Sequence, residues 1–418
     1  MASKANKAQA APAKLVCEAA IEYTQERKFF GGHAERVIPT YQVLDLEGRA
    51  HDAASAARAA PSDTGTLLKM YTTMVQLFNA DQVLYDLQRQ GAISFYMTSY
   101  GEYATHVGSA AALTNDDVIF GQYREAGVLM YRGFTVQDIC NQCFSNEHDL
   151  GKGRQMPVHY GSRALNFQTI SSPLSTQIPQ AAGAAYALKS AKKPAIVVCY
   201  FGEGAASEGD FHAALNFAAT LECPVVFFCR NNRYAISTPV RDQFRGDGIA
   251  ARGPGYGVET IRVDGNDALA VYDAMREAKR VALAESRPVL IEAMTYRIGH
   301  HSTSDDSTRY RAKGEIDDWN TKNNPITRFR AYLESRGLWD KARDDKLNAD
   351  SRQEVLVAMR AAETAKKPPV EDLFRDVYDQ LPPHLLRQQQ QLLAHLEKHG
   401  EHYALEQYQQ DALYKKLD

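Results

Sequence analysis

The chain has 418 residues, 48 Lys and Arg against 51 Asp and Glu, a formal net charge of −3 and 44% hydrophobic residues. That length suits two ordinary domains or one large one with a substantial core. The balanced charge removes a global pull toward nucleic acid or anionic lipid, and no run of about 18 apolar residues is present to cross a bilayer.

The first 15 residues, MASKANKAQAAPAKL, are rich in Ala and Lys and lack the apolar stretch of a secretory signal. They read as a flexible tail or the stub of an organelle-targeted precursor, followed by an extended segment over 16–65. From Leu67 to Arg89 apolar residues recur every three or four positions, with Ser62 and Asp63 before and Gly91 after, which predicts a helix. Apolar runs at 118–120, 196–201, 225–229 and 289–295 alternate with helical patterns at 181–190, 208–221 and 267–285. Continuous apolar strands are buried on both faces, so the expected fold class is α/β, a doubly wound parallel sheet flanked by helices over about 66–325. Beyond it the sequence becomes charged and helix-forming, and the Leu-interleaved Gln run near the end predicts a helical C-terminal extension over 326–418 that seeks a partner surface.

Six cysteines, Cys17, Cys140, Cys143, Cys199, Cys223 and Cys229, are few for this length and suit a reducing compartment with thiols as core residues. Cys140 and Cys143 form a lone CxxC at helical spacing. A tetrahedral zinc site needs four ligands, so the pair reads as structural.

The stretch YFGEGAASEGDFHAALNFAATLECPVVFFCRNNRYAIS, Tyr200 to Ser237, carries the chemistry. It reads as strand, glycine turn, helix, strand and two asparagines, with Ser207 and Asp210 as a capping-box-like start to the helix. Ligands of open parallel sheets sit beyond the carboxyl ends of strands, which is where Gly202-Glu203-Gly204 and Asn231-Asn232 fall. A carboxylate, an amide oxygen and a backbone carbonyl are hard ligands suited to a magnesium diphosphate. Each half alone is an ordinary turn. A dinucleotide fingerprint fails because Gly209 comes two positions late for a third glycine and Arg230-Asn231-Asn232 stands where an acid should close the next strand. The two halves together, 26 residues apart, make the specific signal.

That combination resembles the thiamine diphosphate motif, with Glu in place of the usual Asp. FGQYREAGVLMYRG, GKGRQMPVHYG, ISSPLSTQIPQAAGAAYA, GEGAASEGD, FFCRNNRYAISTP, RGDGIAARGPGYG and EAMTYRIGHHSTSDDSTRYR are similar to the alpha subunit of branched-chain 2-oxo acid dehydrogenase, from about residue 25 through GEHYAL in the tail. The resemblance implies the thiamine-diphosphate-binding fold. It also implies oxidative decarboxylation of branched-chain 2-oxo acids with reductive acylation of a lipoyl group, the activity of 3-methyl-2-oxobutanoate dehydrogenase.

Carried over residue by residue, the resemblance assigns magnesium to Glu203, Asn232 and the Tyr234 carbonyl. Tyr123, Arg124, Arg230 and His301 surround the diphosphate, and Gly202, Gly204, Ala205, Ser172 and Leu174 line the cofactor. Ser171, Pro173, Thr176 and Gln177 take a structural potassium ion, where the residues alone read as a loop with a helix cap at Ser175 or Thr176. His301 becomes the proton donor in acyl transfer, a task for which an ordinary histidine pKa of about 6.5 is suited; alone, His300-His301 reads as a surface pair. Ser302 becomes a phosphorylation site on a loop ordered by Arg297, Asp305, Tyr310 and Arg311, with an unmodified Ser-rich loop as the alternative. The second such position is Ala312, so control there is absent.

The same resemblance implies an α2β2 heterotetramer whose beta subunit supplies the activating carboxylate, a lipoyl-bearing acyltransferase core and, in a eukaryote, a kinase and phosphatase. No nucleic acid or membrane partner is implied. The compartment is the mitochondrial matrix or, alternatively, a bacterial cytoplasm. Rival readings are the alpha subunit of pyruvate dehydrogenase, against which HHSTSDDSTRYR weighs, and a noncatalytic diphosphate-binding assembly subunit, which has no need of His301.

Overall fold

Residues with apolar side chains on both pleat faces belong in the middle of a layered sheet, and the strands of this chain divide their side chains that way. In the computed structural model, which describes Gln25, Arg27 and residues 37–409, seven strands form one parallel sheet. They are β1 (Thr40–Tyr41), β2 (Val118–Phe120), β3 (Phe167–Gln168), β4 (Val197–Gly202), β5 (Val225–Asn231), β8 (Glu259–Asp264) and β9 (Val289–Met294). Their order is β1-β8-β9-β5-β4-β2-β3, and β6 (Tyr234–Ala235) and β7 (Thr238–Pro239) make a separate small hairpin. Along β4, Val198 and Tyr200 enter one core with Val226 and Phe228 of β5. Val197, Cys199 and Phe201 enter the other with Val225 and Phe227. Both faces are therefore covered, as the continuous apolar runs require.

The helices in chain order are α1 (Ala53–Ala59), α2 (Thr64–Arg89), α3 (Tyr103–Ala111), α4 (Ala126–Tyr131), α5 (Val136–Phe144), α6 (Gln177–Ser190), α7 (Gly209–Thr220), α8 (Val240–Gln243), α9 (Ala268–Glu285), α10 (Lys313–Lys322), α11 (Pro325–Ser335), α12 (Lys341–Thr364) and α13 (Pro383–His399). Helix α2 starts where expected, with the Asp63 carboxylate accepting the Gly65 and Thr66 N–H groups at 3.1 and 2.9 Å. Helices α6 and α7 cover one face; α2, α3, α4, α5 and α9 cover the other.

Three expectations need correction. The 16–65 segment is not uniformly extended: it contains α1, and β1 joins the sheet beside β8. It is tied down by Asp267, whose carboxylate accepts the Val43 and Leu44 N–H groups at 2.7 and 2.6 Å. Helices α11 and α12 do not form an outlying extension. Phe329, Leu333, Val355, Ala358 and Ala362 are buried in the same core as the sheet, and among the described residues the stretch 366–409 is more sparsely packed, with Leu396 the sole buried residue of α13. Ser207 and Asp210 make no capping box. The chain first winds a 3-10 turn, Ala205–Ser207, and α7 then starts after Glu208 with no side-chain cap.

The five described cysteines are buried and free, and burial pushes the Cys140 thiol up to about 12, so the CxxC is inert packing. Residues 1–15 and Cys17 lie outside the described residues. Among those described, no helix is long and apolar enough to cross a membrane.

Candidate active site

Parallel pairing of β4 with β5 puts Gly202 opposite Arg230, so the glycine turn after one strand and the asparagines ending the other meet at one sheet edge. A Cβ on Gly204 would sit 2.6 Å from the Ala235 Cβ, so glycine is what lets the turn close onto the 232–235 segment. Between them lies a cleft of about 220 Å³ lined by Tyr123, Arg124, Leu174, Glu203, Asn232 and His301, among others.

One end of this cleft is rich in oxygen. The Glu203 carboxylate is 1% exposed and accepts the Asn232 N–H at 3.2 Å and the Gln243 amide at 3.3 Å. Burial, reinforced by Glu102, lifts its pKa to about 7. Asn232 donates its Nδ2 to Glu102 at 2.8 Å, which leaves Oδ1 as the acceptor, 3.3 Å from the Tyr234 N–H. The Tyr234 carbonyl accepts from Arg297 at 3.4 Å.

The other end is cationic. Arg124 donates to the Thr98 and His301 carbonyls at 2.5 and 2.9 Å. Arg230 lines the cleft but its guanidinium is committed: Nε donates to Glu125 at 2.8 Å, Nη2 reaches the same oxygen, and Nη1 donates to Glu102. Burial alone would lower the Arg230 pKa, and the two carboxylates outweigh it and raise it. Arg124 also lies 3.6 Å from Glu102, and Arg297 has no carboxylate within ion-pair distance among the described residues. Gln122 accepts the Gly202 N–H at 2.9 Å and squares the turn against the strand.

His301 closes the cleft edge-on to Tyr123, ring centres 6.1 Å apart. Its Nδ1 stands 3.4 Å from an Arg297 N–H, so Nδ1 accepts and Nε2 carries the proton. Burial, then Arg124 and Arg297, pull its pKa down to about 3, which corrects the expectation of an ordinary histidine. In this environment His301 is a neutral hydrogen-bond donor. His300 is half-buried, and its Nδ1 accepts the Ser307 N–H at 3.1 Å.

The loop after β9 is knit by polar groups. The Tyr310 hydroxyl accepts from Arg297 at 2.8 Å and donates to Asp305 at 2.5 Å, and Asp305 also accepts the His301 N–H at 2.7 Å. Arg311 donates to the carbonyls of Arg297 and Gly299. Ser302 is 8% exposed, and its hydroxyl accepts the Ser304 N–H.

Two groups of expected residues sit apart from this core. Ser172 does not line the cleft; its hydroxyl meets His159 Nε2 at 2.8 Å. In the 171–177 loop the Thr176 hydroxyl donates to the Pro173 carbonyl at 3.1 Å, the Gln177 amide donates to the Tyr200 carbonyl at 3.1 Å, and Ser171 is exposed. Thr176 precedes α6 without a side-chain cap bond. Ser175 instead donates to the Ala205 carbonyl, tying the loop to the glycine turn.

Sequence reading missed Glu102, Gln122, Glu125, His159 and Gln243. No spacing signals them; Glu102 sits at the start of α3, where an acid reads as a cap.

The donor set fits a magnesium diphosphate. Among the described residues Glu203 is a buried carboxylate with no cation paired to it, Arg297 Nε is buried without a hydrogen-bond partner, and Asn232 keeps a neutral side-chain oxygen as an acceptor. Among the described residues no three His, Cys, Asp or Glu side chains converge as a metal site. A single carboxylate therefore leaves the remaining ligands to backbone, amide and diphosphate oxygens.

A family model described as "Dehydrogenase E1 component" matches residues 71–371. The chain is 56% identical over 390 residues to "2-oxoisovalerate dehydrogenase subunit alpha, mitochondrial" of Macaca fascicularis, covering 93% of this chain and 87% of that one. The same-named protein of Caenorhabditis elegans is 56% identical over 384 residues, 92% of this chain and 88% of the relative. That of Dictyostelium discoideum is 55% identical over 372 residues, 89% and 84%.

Proposed function

The chain belongs to the dehydrogenase E1 component family as a branched-chain 2-oxo acid dehydrogenase alpha subunit, and from that premise we propose how its cleft contributes to decarboxylation of 3-methyl-2-oxobutanoate. Thiamine diphosphate, when bound, supplies the electron sink that decarboxylation of a 2-oxo acid needs. This chain supplies the grip, the orientation and one wall.

Glu203, Asn232 and the Tyr234 carbonyl would hold magnesium, and Arg124 with Tyr123 and His301 would bracket the diphosphate. Gly202, Gly204, Ala205 and Leu174 lie along the cofactor. Arg230 acts less as a free phosphate ligand than as the buried link between Glu102 and Glu125. His301 offers its Nε2–H to the reacting centre. Anions beside Arg124 and Arg297 would offset their charges and bring the ring closer to protonation. Ser171, Pro173, Thr176 and Gln177 are the proposed potassium ligands, and Ser172 acts through His159.

The beta subunit completes the site, and the lipoyl-bearing acyltransferase receives the acyl group. Exposed Leu373, Val377 and Tyr378, at 70%, 78% and 53%, give the C-terminal segment an apolar surface suited to the beta subunit. The mitochondrial matrix is the compartment of an enzyme of this kind, and there a kinase and phosphatase would act on Ser302. Phosphate adds about −1.5 to −2 charges. Beside Asp305 it repels the carboxylate that holds Tyr310 and the His301 backbone.

The observation that carries this reading is the meeting of Glu203 and Asn232 at 3.2 Å across paired strand ends, with Arg124 and His301 lining the same cleft. The test is to assemble the chain with its beta subunit and compare rates on 3-methyl-2-oxobutanoate and pyruvate with thiamine diphosphate and magnesium. A preference for pyruvate would move the chain to the pyruvate dehydrogenase reading.

A further inference from the structure

The two adjacent asparagines at the end of β5 donate their side-chain amides to two different buried glutamates. Asn231 Nδ2 donates to Glu292 at 2.8 Å, and Glu292 also accepts the Ile249 and Ala250 N–H groups and the Arg262 guanidinium, fastening a loop to the sheet. Asn232 Nδ2 donates to Glu102 at 2.8 Å. Glu102 occupies the N-cap position of α3 yet makes no side-chain bond to that helix. Its side chain is fully buried and turned to the cleft, where it also takes Arg230 Nη1 and lies 3.6 Å from Arg124 Nε.

A cap residue that leaves its own helix unserved and engages three cleft residues has a task there. Turning the Asn232 amide over would set Oδ1 against a carboxylate oxygen and Nδ2 against the Tyr234 N–H, two repulsions in place of two hydrogen bonds. Glu102 therefore decides which end of that amide is an acceptor. It also fixes Arg230 and draws Arg124, so one carboxylate ties the oxygen-rich end of the cleft to the cationic end.

We propose that Glu102 is a positioning residue for cofactor binding: it holds the Asn232 amide with Oδ1 free to ligate the cation and locks the two arginines in register with it. The inference rests on the magnesium reading of Asn232. Partners that orient a metal ligand are worth roughly 10–100-fold in metal affinity when removed.

The test uses the enzyme assembled with its beta subunit, with Mg2+ required for half-maximal thiamine diphosphate binding read by calorimetry, and bound Mn2+ read by electron paramagnetic resonance. Glu102→Asp keeps the charge beside Arg230 but shortens the reach to Asn232, and it should raise the Mg2+ requirement about 10-fold and alter the Mn2+ spectrum. Asn232→Asp alone sets two carboxylates face to face and should bind metal poorly. Adding Glu102→Gln gives that pair a donor again and should recover most of the loss and the wild-type spectrum.

A wild-type Mg2+ requirement in Glu102→Asp, or no recovery in the double variant, overturns the proposal. Asn232→Ala separates the two readings. If it leaves the Mg2+ requirement unchanged, the magnesium assignment itself fails and the inference falls with it. If Asn232→Ala weakens binding while Glu102→Asp does not, only the role of Glu102 is lost.

Discussion

The two ends of the cleft are built from different material. The oxygen-rich end stands on the last residues of β4 and β5, whose strands pair over six positions and whose side chains are buried on both faces. The loop end, from Arg297 to Arg311, has no strand and one short 3-10 turn, and it is held by guanidinium, hydroxyl and carboxylate bonds to one another and to backbone. A sheet edge keeps its shape through apolar burial and is indifferent to one added charge. A loop held by charge can be released by charge.

Changes at the loop end should therefore act through order, and changes at the oxygen-rich end through the proposed ligation of magnesium. The largest effect is expected from Ser302→Glu. A charge at a site only 8% exposed, next to the Asp305 network, should cut overall activity with lipoyl protein by about 100-fold or more and open the loop to proteolysis. Full activity with an intact loop would erase the contrast between the two ends.

Next comes Asn232→Ala, expected to raise the Mg2+ requirement for thiamine diphosphate about 10-fold or more while leaving loop proteolysis at the wild-type rate. Increased loop cleavage in this variant would mean that the ends are not separable.

The floor beneath the loop gives a pH test. Asp81 is fully buried and accepts from Ser99, Tyr96 and Tyr103, and the Tyr96 carbonyl in turn accepts the Thr303 N–H of the loop. Burial raises the Asp81 pKa to about 7. A carboxyl raised on folding contributes stability that is full below its unfolded value of about 3.9 and lost as pH rises through the folded one. Stability should thus fall by roughly 1–3 kcal/mol between pH 5 and 8, first in loop protection. Asp81→Asn should flatten that slope in thermal melts, and an unchanged slope would clear Asp81 of the role.

The smallest effect is Tyr310→Phe. It removes one hydroxyl bridging Arg297 and Asp305, at about 1–2 kcal/mol of loop stability, readable by hydrogen exchange across 297–311 with no change at 230–236.

The same contrast explains what the sequence disclosed. β4 and β5 were legible because a strand buried on both faces is apolar at every position, and the start of α2 because Asp63 caps it. The meeting of Glu203 and Asn232 is legible because each follows a strand of one βαβ unit and parallel pairing brings those strand ends together. The two-residue strands β1 and β3 are too short for any period to register. Helix α12 hides its role because only Ser351, Val355, Ala358, Ala362 and the N-terminal Asp344 are buried among 24 residues rich in charged and polar side chains. Glu102 and Glu125 were illegible for another reason. They lie 128 and 105 residues from the arginine they serve, and no local pattern encodes a buried charge pair closed by the fold. The low pKa of His301 likewise arises from burial and from arginines at 124 and 297 together.

The central claim is that this chain carries one wall of a shared active site, with the metal and diphosphate grip on its side and the activating carboxylate on its partner's. The most direct measurement is decarboxylation of 3-methyl-2-oxobutanoate, with thiamine diphosphate and magnesium, by the purified chain alone and after assembly with the beta subunit. The account predicts no turnover alone and full turnover on assembly. Robust turnover by the homogeneous isolated chain would contradict it.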